Sequence, residues 1–177
     1  MLPNLITALR LAVLVPLFMC LTDGSVAGRW AALALFLFAG ASDVLDGWLA
    51  RRMNLTSAFG SFLDLIADRL LTLVSVAGLV AAGILSGVWA VAGLALVARD
   101  FLVAGLNERF GDLGIRTGAG EKVKVTLQFI GLALLAAPPI FSGQASAGRW
   151  SLAASALAAA WLGLVYIRRA LRTVSAA

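Results

Sequence analysis

Long apolar segments alternate with short polar breaks along the whole chain. Six segments approach the roughly 20 residues that a helix needs to cross a bilayer, and they cover about 5–22, 29–50, 60–82, 87–107, 123–142 and 149–168. The breaks are rich in turn residues, as in TDGSVAG, FGDLGIRTGAGE and SGQASAG. This pattern predicts an all-α integral membrane protein with six transmembrane helices, and residues 1–177 are expected to form a single six-helix domain.

The basic residues fall mainly on one side of this arrangement. Only Arg29 and Arg149 lie on the other side, so the positive-inside rule predicts that both termini are cytoplasmic. The net charge of +5 then reflects membrane topology and anionic headgroups rather than nucleic acid. A cleaved signal peptide is disfavoured because no basic stretch precedes the first apolar segment. The residues on the predicted cytoplasmic side are Arg51, Arg52, Arg109, Arg116, Lys122, Lys124, Arg168, Arg169 and Arg172.

The composition agrees with a lipid environment and excludes several kinds of catalytic and metal-binding site. The chain is 62% hydrophobic and 13% charged, whereas a soluble domain is about half apolar and about a quarter charged. Because Cys20 is the sole cysteine, no intrachain disulfide can form. Histidine is absent, which excludes histidine-based acid–base catalysis and the usual zinc sites.

Four aspartates stand out in the second and third apolar segments. Asp43 and Asp46 are spaced i,i+3 and Asp64 and Asp68 i,i+4, so each pair lies on one helical face. At 1.5 Å per residue, Asp46 lies about 8 Å and Asp43 about 12 Å below Arg51 along the helix. Since a short loop joins the two helices, the four carboxylates are expected to converge just inside the cytoplasmic boundary of the membrane.

Four carboxylates so close together need protonation, arginine partners or metal ions. Arg51 and Arg69 are too few to neutralise them, and oxygen ligands favour hard ions such as Mg²⁺, Mn²⁺ or Ca²⁺. Two divalent cations balance four negative charges, and a two-metal carboxylate site suits phosphoryl transfer. A structural or proton-relay cluster is the alternative. Cation transport is disfavoured because the same helices continue as apolar WAALALFLF and LVSVAGLVAAGIL.

The aspartate spacing resembles the signature of the CDP-alcohol phosphotransferase family. The pattern Asp-x2-Asp-Gly-x2-Ala-Arg-x8-Gly-x3-Asp-x3-Asp is matched from Asp43 to Asp68. The resemblance implies transfer of a CDP-activated group to an alcohol with release of CMP. It also implies that Asp68 is the general base and that two Mg²⁺ or Mn²⁺ ions are the cofactors. The implied metal ligands are Asp43, Asp46, Asp64 and Asp68, and the implied nucleotide-site residues are Gly47, Ala50, Arg51 and Gly60.

The amino terminus extends this resemblance. PNLITALR is similar to the Pro-Asn-x-Leu-Thr-x-x-Arg opening of several bacterial members of the family, with Ile6 in the leucine position. Asn4 and Thr7, with Arg10, are therefore expected to face the CDP pocket. The alternative is that these three residues serve as helix caps or helix contacts.

The acceptor alcohol is inferred from cations further along the chain. EKVKVTLQ, residues 121–128, resembles the Gly-Lys-x-Lys-Thr-x-x-Gln segment of the family members that make phosphatidylglycerophosphate. A phosphorylated acceptor needs cations, and these are predicted to be Arg99, Arg116, Lys122 and Lys124. The resemblance implies sn-glycerol 3-phosphate as acceptor. An ion pair between Arg99 and Asp100 is the structural alternative.

Other acceptors remain open at this point. The Arg99-Asp100 pair is also similar to the CMP-forming cardiolipin synthases of the superfamily, and an inositol-type acceptor is a further alternative. The implied partners are CDP-diacylglycerol, a small phosphorylated alcohol, membrane lipids and a second copy of the chain, without nucleic acid. The implied location is the inner, cytoplasmic membrane, with the active site facing the cytoplasm.

Overall fold

Six α-helices make up the described part of the chain, which contains no strand. The computed structural model describes residues 2–53, 58–110 and 118–175, with side chains for 7–43, 60, 62–106 and 118–168. Each predicted apolar segment falls on one helix, so the all-helical class is confirmed. The helices are α1 (Leu2–Thr22), α2 (Val26–Met53), α3 (Ala58–Ala81), α4 (Val88–Phe110), α5 (Ala119–Ala136) and α6 (Gln144–Ser175).

Helix α5 is shifted towards the amino terminus of its predicted segment. The apolar run predicted a helix over 123–142, but the helix begins at Ala119 and ends at Ala136. Ala137 comes next, and Pro138 and Pro139 follow it. Proline lacks the amide hydrogen that continues a helix and disfavours helical geometry in the residue before it. The predicted segment extended too far because apolar residues continue beyond the end of the helix.

The described helices include two that are long and apolar enough to cross a membrane. These segments are Val88–Leu106 and Gln144–Arg168, and a shorter apolar stretch covers Thr7–Thr22. Large apolar side chains are exposed along them, including Leu94, Trp150 and Trp161. A surface of this kind is unfavourable in water and suits contact with lipid. The six-span topology stays a prediction.

The chain divides into two compact units, and α1 is the central helix of the first. This unit comprises Met1–Leu85 and Leu135–Ile140. Helix α1 packs along both α2 and α3, more extensively than α2 and α3 pack on each other. Gly78 allows the close approach, since a Cβ there would lie 2.8 Å from Cδ1 of the buried Leu21. Side chains of α1 therefore lie next to both aspartate-bearing helices.

The ends of the helices in the first unit are fixed by local hydrogen bonds. Ser25 is the N-cap of α2, because its Oγ accepts a hydrogen bond of 2.9 Å from the amide of Gly28. Helix α3 ends in a Schellman motif in which the amide of Ile84 donates to the carbonyl of Leu79 at 3.0 Å. Gly83 has φ of 71°, the left-handed conformation that this motif requires. The start of α2 and the end of α3 are therefore fixed by capping hydrogen bonds.

The second unit is built from α4, α6 and most of α5. It comprises Ser86–Leu134 and Phe141–Ala177. Helices α4 and α6 pack together around the buried pair Val103 and Tyr166. Helix α6 is joined to α5 by Ser155, whose Oγ donates to the carbonyl of Lys124 at 2.9 Å. This arrangement places the charged amino-terminal part of α5 beside α6.

We expect Gly131→Ala to destabilise the second unit, because α5 and α6 are in backbone contact there. A Cβ at Gly131 would lie 2.9 Å from the amide nitrogen of Leu152 and 3.0 Å from the carbonyl oxygen of Gly148. Forcing backbone apart typically costs about 1–3 kcal/mol, measurable as a lower midpoint of thermal unfolding in detergent.

The matched control is Gly105→Ala in α4, where an added Cβ meets nothing within 4 Å. Alanine is the better helix former by roughly 0.5–1 kcal/mol, so this variant should melt at the same temperature or slightly higher. Equal midpoints for the two alanine variants would contradict the proposed backbone contact.

Candidate active site

A buried arginine of α1 brings two of the signature aspartates together. Nη1 of Arg10 donates to Oδ1 of Asp43 on α2 at 2.7 Å, and the same nitrogen lies 3.9 Å from Oδ1 of Asp64 on α3. Because both Oδ1 atoms lie near the same nitrogen, the distance between them cannot exceed the sum of these two distances. Arg10 has a fully buried side chain, whereas those of Asp43 and Asp64 are 48% and 39% exposed. The carboxylates lie at an accessible surface above a buried cation.

Thr7 supports the same cluster from one turn earlier in α1. Its Oγ1 donates a hydrogen bond of 2.8 Å to Oδ1 of Asp64, and the residue is 1% exposed. Because Thr7 and Arg10 are spaced i,i+3, they lie on the same face of α1. The sequence predicted Thr7 in the CDP pocket, and in the structure its hydroxyl donates to a signature carboxylate.

The other two signature aspartates, Asp68 and Asp46, lie on the same helices as Asp64 and Asp43. Asp68 is exposed and follows Asp64 by one helical turn on α3, and its carbonyl accepts a hydrogen bond of 3.3 Å from Oγ1 of Thr72. Asp46 belongs to α2, but its side chain lies outside the described residues. Among the predicted nucleotide-site residues, Gly60 is half-buried on α3. The side chains of Asn4 and Arg51, and the surroundings of Gly47 and Ala50, lie outside the described part.

The donor chemistry of this cluster fits a hard divalent cation. Carboxylate oxygens are the preferred ligands of Mg²⁺ and Mn²⁺, and Asp43 and Asp64 present such oxygens in proximity and with partial exposure. No group of three or more ligand side chains close enough to share an ion occurs among the described side chains, a set that does not include Asp46. Asp43 and Asp64 are thus close together, whereas Asp68, which is also described, does not join them in a group of three.

The second unit contains a separate network of four charged side chains. Nζ of Lys124 lies 2.6 and 2.7 Å from the two carboxylate oxygens of Asp100. Arg99 forms a two-pronged pair with Glu121 at 2.9 and 3.1 Å, and its Nη1 also donates to Asp100 at 3.0 Å. Two positive and two negative charges thus balance each other. The Arg99–Asp100 ion pair that the sequence left open is present.

The four side chains of this network are largely buried. Lys124 is 2% exposed, and Arg99 additionally donates from Nε to the carbonyl of Ala159 on α6 at 3.0 Å. Burial by itself raises the pKa of Glu121. The hydrogen bond from Arg99 and the charges of Lys124 and Arg99 outweigh it, so the pKa lies below its ordinary value. Glu121 therefore stays ionised and holds both cations.

Lys122 differs from the other predicted acceptor cations in being exposed. With Glu121, Val125 and Thr126 it lines a cavity of about 420 Å³ at the start of α5. The hydroxyl of Thr126 donates to the carbonyl of Lys122 at 2.9 Å. Arg116, the fourth predicted cation, lies outside the described residues. Lys122 is thus the described member of the set that has the most open surroundings.

The described part of the chain thus combines an all-helical fold, exposed apolar side chains and two signature carboxylates that lie close together. A family model described as CDP-alcohol phosphatidyltransferase matches residues 1–166. The chain therefore belongs to the CDP-alcohol phosphatidyltransferase family, as the aspartate signature indicated. This family is membrane-bound and uses divalent cations.

Curated relatives narrow the comparison to one activity. The chain is 36% identical over 179 residues to the CDP-diacylglycerol--glycerol-3-phosphate 3-phosphatidyltransferase of Pseudomonas fluorescens, covering 95% of this chain and 89% of the relative. Proteins of the same name from Rickettsia bellii and Escherichia coli are each 34% identical. They cover 76% and 75% of this chain and 74% and 75% of their own lengths.

Arg10 was not predicted as the counter-charge of the aspartates. Arg51 and Arg69 are closer to the signature in sequence, whereas Arg10 reaches the cluster through the packing of α1. A signal was available, since an arginine inside an apolar helix requires an anionic partner. Glu121 was likewise missed as the partner of Arg99, which lies 22 residues away along the chain.

Proposed function

We propose that this protein transfers the phosphatidyl group of CDP-diacylglycerol to sn-glycerol 3-phosphate, giving phosphatidylglycerophosphate and CMP. The printed names of the relatives support this donor and acceptor, and the family supports the reaction class. The observation that carries the proposal is the approach of Asp43 and Asp64 around Arg10. It supplies accessible carboxylates from the two helices that contain the family signature.

In this proposal Asp43, Asp46, Asp64 and Asp68 hold two divalent cations, Mg²⁺ or Mn²⁺. When bound, such cations neutralise the pyrophosphate of the donor and make CMP a better leaving group. The four aspartates then orient the pyrophosphate through the bound cations. The carboxylates fix where the pyrophosphate lies, and their half-exposed positions leave room for it beside the helices.

Asp68 acts as the general base of the transfer. It takes the proton from the attacking hydroxyl of glycerol 3-phosphate, whose oxygen forms a bond to the phosphorus that carries diacylglycerol. The bond from that phosphorus to the oxygen bridging to CMP breaks, and CMP leaves with that oxygen. A base must lie within hydrogen-bond reach of the proton it removes, and Asp68 is exposed one turn from Asp64.

The cytidine end of the donor is proposed to lie over α2 and the start of α3. Glycine permits close backbone approach to a nucleotide, and a guanidinium can fork onto a phosphate. Thr7 contributes only as a hydrogen-bond acceptor, because its proton is donated to Asp64. The remaining residues proposed for this site are Asn4, Gly47, Ala50, Arg51 and Gly60.

Cations of the second unit are proposed to bind the phosphate of the acceptor. Lys122 is the principal candidate because it is exposed in a cavity, and Arg116 is proposed to assist it. Arg99 and Lys124 are engaged with Glu121 and Asp100, so any contact they make with phosphate must be shared with those carboxylates.

The membrane arrangement belongs to the same proposal. All six helices are proposed to span the inner membrane as one domain, with both termini and the active site on the cytoplasmic side. The apolar segments Val88–Leu106 and Gln144–Arg168 support membrane insertion, and the distribution of basic residues supports the orientation. A homodimer is proposed as the working assembly.

The direct test measures CMP release by the purified protein from CDP-diacylglycerol. Release is expected only with sn-glycerol 3-phosphate and with Mg²⁺ or Mn²⁺ present, and excess chelator should stop it. Inositol, serine and phosphatidylglycerol, offered separately, test the alternative acceptors. Release with phosphatidylglycerol instead would indicate a cardiolipin synthase, and release with none of the alcohols would overturn the proposal.

Lys122→Gln is expected to weaken acceptor binding specifically. Losing one charge-assisted hydrogen bond to phosphate typically costs about 1.5–3 kcal/mol, which corresponds to a KM for glycerol 3-phosphate raised by roughly tenfold or more. The KM for CDP-diacylglycerol and the kcat should change little. Steady-state kinetics with each substrate varied in turn provide the measurement.

Arg168→Gln is the control for a general loss of positive charge, since Arg168 is also exposed but does not line the cavity at Lys122. It should leave both KM values unchanged. A KM for glycerol 3-phosphate that responds equally to the two substitutions would contradict a specific role for Lys122.

A further inference from the structure

Two polar side chains of α1 are almost completely buried in the first unit. Arg10 and Thr7 are each 1% exposed, although α1 is otherwise apolar from Leu11 to Leu21 apart from Cys20. Removing a guanidinium from water is costly unless an anion compensates it. Long basic side chains often extend from an apolar helix towards water, but the side chain of Arg10 is fully buried.

The buried pair contacts carboxylates from two other helices at once. Arg10 joins Asp43 of α2 at 2.7 Å, and its Nη1 lies 3.9 Å from Asp64 of α3. Thr7 donates to that same Oδ1 of Asp64 at 2.8 Å. Arg10 and Thr7, both among the described side chains of α1, thus contact the Oδ1 atoms of the two carboxylates.

The charge balance distinguishes this cluster from a self-contained ion-pair network. One guanidinium faces two carboxylates, so the described members Arg10, Asp43 and Asp64 together carry an excess negative charge. The carboxylates are 48% and 39% exposed, whereas the side chain of Arg10 is fully buried. The cluster is therefore oriented, with its cation inside and its anions outside, and it can still attract a further cation.

We propose that Arg10 and Thr7 are positioning residues that hold Asp43 and Asp64 in place for metal binding. This inference rests on the proposed function, which assigns those aspartates to the metal site. Arg10 fixes one oxygen of Asp43 and lowers the repulsion between the two carboxylates before any ion arrives. In this proposal the cations bind the remaining oxygens of the two carboxylates. Both residues are proposed to act on metal binding through the two carboxylates.

The test is Mn²⁺ binding by the purified protein without substrate, followed by electron paramagnetic resonance. Loss of a group that orients metal ligands typically weakens metal affinity by about 10–100-fold. We expect Arg10→Gln to raise the Kd for Mn²⁺ by at least tenfold and to raise the Mn²⁺ concentration needed for half-maximal CMP release in parallel. Saturating Mn²⁺ should restore much of the kcat. Arg10→Lys, which keeps the charge but loses the planar fork, should lie between wild type and Arg10→Gln.

Thr7→Val tests the second contact at nearly constant volume and should give a smaller rise in the same Kd. The matched control is Arg29→Gln, because Arg29 belongs to the same unit but donates to the backbone carbonyl of Leu135 at 2.7 Å rather than to a carboxylate. Arg29→Gln should lower the thermal midpoint without changing the Kd for Mn²⁺. If the Kd for Mn²⁺ rises equally in Arg10→Gln and Arg29→Gln, the effect is general destabilisation of the first unit. That result would overturn the proposal.

Mn²⁺ binding that is unchanged or tighter in Arg10→Gln would also overturn it, and tighter binding would make Arg10 a competitor of the metal. If Arg10→Gln does not give folded protein, Arg10→Lys decides by the same criteria. The proposed function fails separately, when wild-type protein binds Mn²⁺ with the expected dependence on Arg10 but releases no CMP with any acceptor.

Discussion

Asp68→Asn is expected to reduce CMP release by about 10²–10⁴-fold, the usual contribution of a general base. Asparagine keeps the size of the side chain and one oxygen ligand but cannot take the proton of the attacking hydroxyl. Mn²⁺ binding should therefore be retained in part. Single-turnover measurements at saturating Mn²⁺ separate the two effects, because they report the chemical step after the metal has bound.

Asp43→Asn provides the contrasting pattern. Asp43 contacts Arg10 directly and is proposed as a metal ligand, so this variant should lose Mn²⁺ affinity as well as activity. Asp23→Asn is the matched control, since Asp23 is an exposed aspartate of the turn between α1 and α2, outside the family signature. It should retain wild-type kinetics. Full activity of Asp68→Asn would remove Asp68 from the role of base.

The helices were largely predictable because apolar length is a strong signal. Each predicted segment corresponds to one helix, and the TDGSVAG break coincides with the end of α1 at Thr22 and the start of α2 at Val26. The error at α5 has a specific cause, since hydropathy averages over side chains and does not register that Pro138 interrupts the backbone. Turn chemistry, not apolarity, fixes where these helices stop.

The positions of the signature aspartates on their helices were more predictable than the partners of those aspartates. Spacing alone placed Asp43 and Asp46 on one helical face, and Asp64 and Asp68 on another, because these relations are local. The contact of Arg10 with Asp43 joins residues 33 apart in the chain. It depends on α1 packing between the two aspartate helices, which periodicity does not encode.

The two charged clusters illustrate different uses of buried charge. In the first unit a buried arginine supports carboxylates that remain 39–48% exposed. In the second unit Arg99, Asp100, Glu121 and Lys124 all have side chains that are less than one-fifth exposed, and their charges cancel. Unbalanced, accessible anions suit the binding of an external cation, whereas a balanced and buried network mainly fixes the packing of its helices. This contrast leads to a stability prediction for the second unit.

Lys124→Met is expected to lower the free energy of unfolding by about 3–5 kcal/mol, the usual cost of removing one partner from a buried ion pair. Methionine resembles the stem of lysine in volume, so the loss is mainly electrostatic. Asp100 and Glu121 would then share Arg99 alone, and one buried negative charge would remain uncompensated. The measurement is the midpoint of thermal unfolding in detergent, together with chemical denaturation where it is reversible.

The double variant Lys124→Met with Asp100→Asn distinguishes charge imbalance from loss of packing. It leaves Arg99 and Glu121 as a neutral two-pronged pair, with nitrogen–oxygen distances of 2.9 and 3.1 Å. Most of the lost stability should therefore return, and a double-mutant cycle would give a large coupling energy between Lys124 and Asp100. Lys122→Met is the control on the exposed side of α5, where a change within about 0.5 kcal/mol is expected. A double variant less stable than Lys124→Met would show that the hydrogen bonds to Asp100, rather than the charge balance, stabilise this part of the protein.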